Sequence, residues 1–93
     1  MPRNAQYQIV LSPQAASDLK FWRKNKPSVI ERIFNLLTSM EVDPYKGIGK
    51  PKALHYDFEG LWSRRIDSEH RVIYEVIDDR IEIQSLRGHY GDK

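Results

Sequence analysis

The sequence predicts an α+β fold, with two N-terminal helices in a hairpin packed on a small antiparallel sheet of about four strands. Three observations carry this. Apolar residues recur at helical spacing through Ile30, Ile33, Phe34, Leu37 and Met40. Three β-rich runs, at about 61–66, 71–77 and 80–87, crowd the last third of the chain. Between helix and strands, Pro44, Gly47, Gly49, Pro51 and Gly60 punctuate residues 43–60, where no period holds. The 93 residues suffice for one domain, 1–93.

Taken in order, residues 7–11 form a short β-rich run that Ser12-Pro13 ends. Ser12 is the expected N-cap and Pro13 the first helical residue. Ala15, Ala16, Leu19 and Trp22 then keep helical spacing to about Lys24. Asn25-Lys26-Pro27 breaks that helix, and Pro27 opens the second. Residues 43–60 read as one long loop, and long loops in compact folds are usually functional. Asp78-Asp79 fits a two-residue hairpin turn without the usual glycine.

Pairing arithmetic from that turn sets Ile77 opposite Arg80, Arg71 opposite Leu86, and Glu69 near Gly88. A turn at 67–70 sets Ile66 opposite Arg71. Arg65, Glu69, Arg71, His89 and Tyr90 thereby gather at one end of the sheet. Alternation does not choose the core face, because Ile73 and Ile77 are as apolar as Val72, Tyr74 and Val76. The N-terminal strand joins the same sheet, with the helices on one face.

With 40% hydrophobic and 30% charged residues, the chain reads as globular rather than disordered. It has no cysteine, which excludes disulfides and thiolate metal sites and suits a reducing compartment. No apolar run approaches the about 20 residues that a membrane span needs. Met1-Pro2-Arg3-Asn4 lacks the apolar core of a signal peptide, so a cytoplasmic protein is expected. The net charge is only +2, but a pI near 9.0 leans basic and suits a polyanionic partner such as nucleic acid or an acidic protein.

Arginines for phosphate, with histidine and tyrosine for proton transfer, are the side chains that RNA cleavage without a metal requires. Such cleavage needs the 2′-hydroxyl deprotonated, the phosphorane charge stabilised and the departing 5′-oxygen protonated. Taken alone, each candidate has a plainer reading. Arg64-Arg65 would be a solvated strand face, His89 an idle imidazole near a chain end, and Glu69-His70 an exposed turn. His70 reads as structural, and Trp62 and Tyr74 as packing. The stripe from Ile30 to Met40 is either core or a surface that a partner helix covers.

Four motifs raise those candidates together. They are Pro44-Tyr45-Lys46-Gly47-Ile48-Gly49-Lys50-Pro51, Leu61-Trp62-Ser63-Arg64-Arg65-Ile66, Glu69-His70-Arg71-Val72-Ile73-Tyr74 and His89-Tyr90. In this order and spacing the chain resembles the YoeB/Txe branch of the RelE/ParE toxin superfamily over roughly residues 6–90. The resemblance implies the toxin of a type II toxin–antitoxin system with a microbial-RNase-like (RelE-like) fold. It further implies a ribosome-dependent endoribonuclease, an mRNA interferase cutting mRNA at the A site without metal or cofactor. The implied partners are mRNA on the ribosome, a YefM/Axe/Phd-like antitoxin, operator DNA through the antitoxin complex, and a second copy in a homodimer. No membrane is implied.

The same resemblance implies roles. His89 would be the general acid, since an imidazole exchanges protons near neutral pH. Arg71 and Arg65 would hold the scissile phosphate, whose oxygens a guanidinium fork fits. Tyr90 would orient the substrate or support the acid, and Lys50, His55 and Arg64 would contact the RNA. Lys52 stands where the family usually has a glutamate, the favoured base. A protonated lysine stabilises a phosphorane but accepts no proton, so Lys52 becomes an electrostatic contributor and His55 or Glu69 the candidate base. Gly88 and the extension Gly91-Asp92-Lys93 also depart from the family pattern. Two other functions stay open: a catalytically weakened toxin that binds antitoxin and operator, and a gyrase-directed toxin of the same superfold.

Overall fold

The computed structural model describes residues 7–88. His89, Tyr90 and residues 91–93 lie outside that range. The described elements are β1 (Gln8–Leu11), α1 (Pro13–Asn25), α2 (Ser28–Val42), β2 (Lys52–Ala53), a 3-10 turn (Tyr56–Phe58), β3 (Leu61–Arg65), β4 (Arg71–Ile77) and β5 (Arg80–Ser85). Both helices start as the sequence predicts. Ser12 Oγ accepts from the Ala15 N–H at 3.0 Å, the cap that frees helix N-termini from unsatisfied donors. The same hydroxyl donates to the Gln84 carbonyl at 2.8 Å, so the cap also ties α1 to β5.

The buried stripe of α2 is not the one the spacing suggested. Val29, Ile33, Leu36 and Met40 are buried, Ile30 and Leu37 are partly buried, and Phe34 is 54% exposed. Successive helical residues turn by about 100°, so centring the sheet-facing stripe on 29, 33, 36 and 40 rotates Phe34 outward.

Among the described residues the sheet has five strands in the order β1-β5-β4-β3-β2, and it is mixed rather than wholly antiparallel. β1 runs parallel to β5, with Gln8 opposite Arg80 and Leu11 opposite Ile83. The chain's reversals explain this. The helix pair returns it to the end where β1 finished, so β2 descends, and three further reversals leave β5 running with β1. The fifth strand, β2, lies inside the segment read as loop, because two residues carry no detectable period.

Ile77 does oppose Arg80, and Asp78 enters the turn at φ 57° without a glycine. Two register expectations fail by one residue. An irregularity between Ile73 and Tyr74 pairs Tyr74 with Ile83 but Ile73 with Ser85, so Arg71 donates its N–H to Gly88 O at 2.9 Å instead of facing Leu86. At the other hairpin, Arg65 rather than Ile66 opposes Arg71. Ile66 is drawn into the core, and both its N–H and that of Asp67 donate to His70 O.

Candidate functional site

Arg64 tells the two faces of the sheet apart. Its guanidinium points toward α2 and donates all five of its N–H groups. Nε reaches Tyr74 Oη at 3.1 Å, Nη1 reaches Ser39 Oγ at 2.8 Å and Ile48 O at 3.1 Å, and Nη2 reaches Asp43 O at 2.7 Å and Lys46 O at 2.9 Å. The residue is wholly buried, so the substrate contact expected of it is corrected. Arg64 organises the glycine-rich loop and cannot touch RNA. Gly47, at φ 129°, lets the loop lie on this group, since a Cβ there would meet Ser39 Oγ and Arg64 Nη1. Tyr74 completes the cluster by donating to Pro44 O at 2.7 Å. Burial raises its phenol above the ordinary value, although Arg64 pulls the other way.

Side chains alternate along a strand. With Arg64 facing the helices, Ser63 and Arg65 face the other side, the open face, which is exposed at Arg65 but covered at Ser63. Their partners follow: Arg71 opposite Arg65, Ile73 opposite Ser63, and Lys52 also opposite Ser63. Arg65, Lys52 and Lys50 are exposed and Arg71 is partly buried. Arg32 on α2 fixes the end of β3, donating from Nη2 to Arg65 O at 2.9 Å and from Nε to Ile66 O at 3.3 Å. Gly49 O accepts the Arg65 N–H at 2.7 Å, which brings neighbouring Lys50 to the same end. Lys52 sits two residues along β3, about 7 Å from Arg65 in the strand direction. Cations thus collect at one end of the open face. Glu75 and Glu82 pair at the other, where Arg80 Nε meets Glu82 Oε2 at 3.0 Å.

The two candidate bases separate. Leu54 N–H donates to Leu61 O, so the chain at His55 has passed the start of β3. That leaves His55 about 16 Å from Arg65 along the strand. Glu69 lies at the arginine end, in the turn joining β3 to β4. Its side chain is 77% exposed, with Oε1 3.7 Å from His70 Nε2. Asp67 builds this turn, accepting the Glu69 and His70 N–H groups at 2.8 and 2.6 Å. Burial alone would raise its carboxyl, but those backbone donors, with the Lys26 charge nearby, hold it below the ordinary carboxylate value.

Glu69 was expected near Gly88, and His70 takes that place, with Nδ1 accepting the Gly88 N–H at 2.9 Å. Sequence reasoning treated His70 as structural and passed over Asp18 and Trp22, which grip the same segment. Asp18 Oδ2 accepts the Leu86 N–H at 2.9 Å, and Trp22 Nε1 donates to Leu86 O at 2.8 Å. A signal existed: Asp18 falls between Ala15 and Trp22 on the buried stripe of α1, where a carboxylate needs a partner. Ser63 Oγ and Ser85 Oγ are buried without a hydrogen-bond partner among the described residues. Among the described residues no group of three or more His, Cys, Asp or Glu could hold a metal ion, and no helix is long and apolar enough to cross a membrane.

Two guanidiniums borne on directly opposed residues can fork onto one phosphate.

Comparison with known proteins identifies a family. A family model described as the YoeB-like toxin of bacterial type II toxin–antitoxin systems matches residues 11–90. Toxin YoeB of Mycobacterium bovis is 41% identical over 82 residues, covering 88% of this chain and 96% of that protein. The YoeB dimer from Staphylococcus aureus superposes with a TM-score of 0.83 at 40% identity, covering 92% of this chain and 100% of that one. The same coverage and identity, with a TM-score of 0.81, hold for a YoeB–YefM complex from Staphylococcus aureus.

Proposed function

The chain belongs to the YoeB-like toxin family of type II toxin–antitoxin systems, and from that premise we propose that it is a ribosome-dependent endoribonuclease cutting mRNA in the A site. The observation that carries this is the Arg65–Arg71 pair on the open face, at the end where the chain leaves Gly88 for His89. The 2′-oxygen attacks the adjacent phosphorus, the bond to the 5′-oxygen breaks, and a 2′,3′-cyclic phosphate forms. Arg65 and Arg71 hold the phosphate and stabilise the phosphorane, with Lys52 and Lys50 adding positive field. His89 gives its proton to the leaving 5′-oxygen, and Tyr90 orients the substrate. Of the two candidate bases, Glu69 lies at the arginine end and His55 does not.

The toxin works in the cytoplasm, where ribosomes are. Its partners are mRNA on the ribosome and an antitoxin of the YefM kind, with operator DNA reached through that complex. An apolar groove lined by Leu11, Ala16, Leu19, Ile30 and Phe34, edged by Lys20 and Arg23, suits an amphipathic acidic segment. Homodimerisation follows the Staphylococcus aureus relative. Lys52 favours one second reading, a weakened nuclease retained for binding antitoxin and operator. Purified toxin with programmed ribosomes separates the two. A-site cleavage leaving a 2′,3′-cyclic or 3′-phosphate end supports the nuclease, and intact mRNA with antitoxin binding preserved supports the binding module.

A further inference from the structure

Beyond Ser85 the chain leaves the β5 strand, yet each of the next three residues is gripped. Leu86 is held through both backbone groups by Asp18 and Trp22. The Arg87 guanidinium lies over the Phe21 ring, 3.6 Å from its centroid. Gly88 donates its N–H to His70 Nδ1 and accepts from the Arg71 N–H, both at 2.9 Å. Gly88 also turns the chain, at φ 73°, while a Cβ there would meet nothing within 4 Å among the described residues. The glycine therefore serves the backbone turn and not a tight fit. His89 is the next residue in the sequence.

We propose that His70 is a positioning residue for cleavage, holding the Gly88 amide from which His89 departs. The proposal rests on His89 being the general acid. An imidazole nitrogen that accepts a hydrogen bond carries no proton, so the ring proton sits on Nε2, toward Glu69 Oε1 at 3.7 Å. The Trp22 ring meets the imidazole edge-on, centroids 4.9 Å apart at 81°, and fixes its plane. His70 thus joins the β3–β4 turn to the outgoing chain one residue before the acid. One hydrogen bond at a partly exposed side chain adds little to folding, whereas misplacing a reacting group by about 1 Å costs on the order of 100-fold in rate. The effect belongs in the chemical step.

The test compares His70→Phe, His70→Asn and His89→Ala with the parent protein in single-turnover cleavage on programmed ribosomes. Hydrogen exchange of the Gly88 amide, thermal melting and antitoxin binding are measured alongside. Phenylalanine keeps a ring against Trp22 but loses the acceptor, while asparagine puts Oδ1 near the place of Nδ1. His70→Phe is expected to slow cleavage about 10- to 100-fold with KM held, and to speed Gly88 exchange about 10-fold or more. His70→Asn is expected to restore both to within about threefold. Cleavage by His70→Phe at the parent rate, or His70→Asn no better than His70→Phe, overturns the proposal. His89→Ala separates the failures: if it is inactive while His70→Phe is unimpaired, only the positioning role falls. If it cleaves at full rate, the acid assignment falls and the positioning role with it. Should His70→Phe not melt cooperatively, His70→Leu replaces it under the same expectations.

Discussion

Replacing Arg64 by lysine tests what the buried guanidinium does. The arginine donates five hydrogen bonds, three of them to the carbonyls of Asp43, Lys46 and Ile48. A lysine ammonium has three donors at one point and cannot span that fork, so at least two acceptors lose their partner. The loop around them is partly exposed and lets water compensate, so the low end of the usual penalty applies, about 1 kcal/mol each. The expected loss is about 2 kcal/mol against a total stability of about 5–14 kcal/mol for a chain of this size. That corresponds to a fall in Tm of about 8–16 °C. Arg64→Met abandons all five bonds, about 5 kcal/mol on the same reckoning. Differential scanning calorimetry gives the first number, and limited trypsin digestion reads the loop, since the Lys46–Gly47 bond should be cut faster once the carbonyls are released. A Tm within about 2 °C of the parent, less than the shift expected for even 1 kcal/mol, with unchanged nicking would refute the clamp.

Arg71→Gln and Arg65→Gln should each slow cleavage by about 100- to 1,000-fold, the cost of losing one charge-stabilising donor, while antitoxin affinity holds. Equal rates would remove the paired arginines from the phosphate site. Lys52→Glu should leave the single-turnover rate unchanged or lower, and a clear rise would show instead that Lys52 replaced a working base. Asp67→Ala should destabilise the β3–β4 turn at neutral pH, with the deficit shrinking under acid. The Asp67 carboxyl is held below 3.8 in the folded state, so its contribution is present above the unfolded value and lost as pH falls through the folded one. Urea denaturation at pH 7 and pH 3 checks this, and a deficit that persists unchanged at the lower pH contradicts it.

Ser12-Pro13 announces α1 in the sequence because capping is local chemistry, complete within four residues. The β3 and β4 ends are legible for a similar reason, as polar turn residues bound each run. What escaped depends on distant partners. Two adjacent arginines look alike in sequence, yet strand alternation sends Arg65 to the open face and Arg64 among carbonyls that residues 43–48 supply. The Phe34 error is one of rotation, since Val29 and Leu36 extend the apolar pattern and leave two candidate stripes. The pairing of β4 with β5 slipped because a backbone irregularity beside Ile73 leaves no mark in composition. His70 could not be read from its own motif, because its partner Gly88 stands 18 residues on.

The parallel pairing of β1 with β5 carries a consequence for the order of synthesis. β5 is the last strand to be made, yet it lies inside the sheet, between β1 and β4. Ser12 waits for Gln84, 72 residues later, and Asp18 for Leu86, 68 later. A nascent chain that stops short of β5 leaves β1 without a neighbour and β4 with a bare edge. Contacts this distant in sequence form late and together, so closure of the fold waits for β5 to emerge. Fragments released before β5 is made lack an interior strand of the sheet.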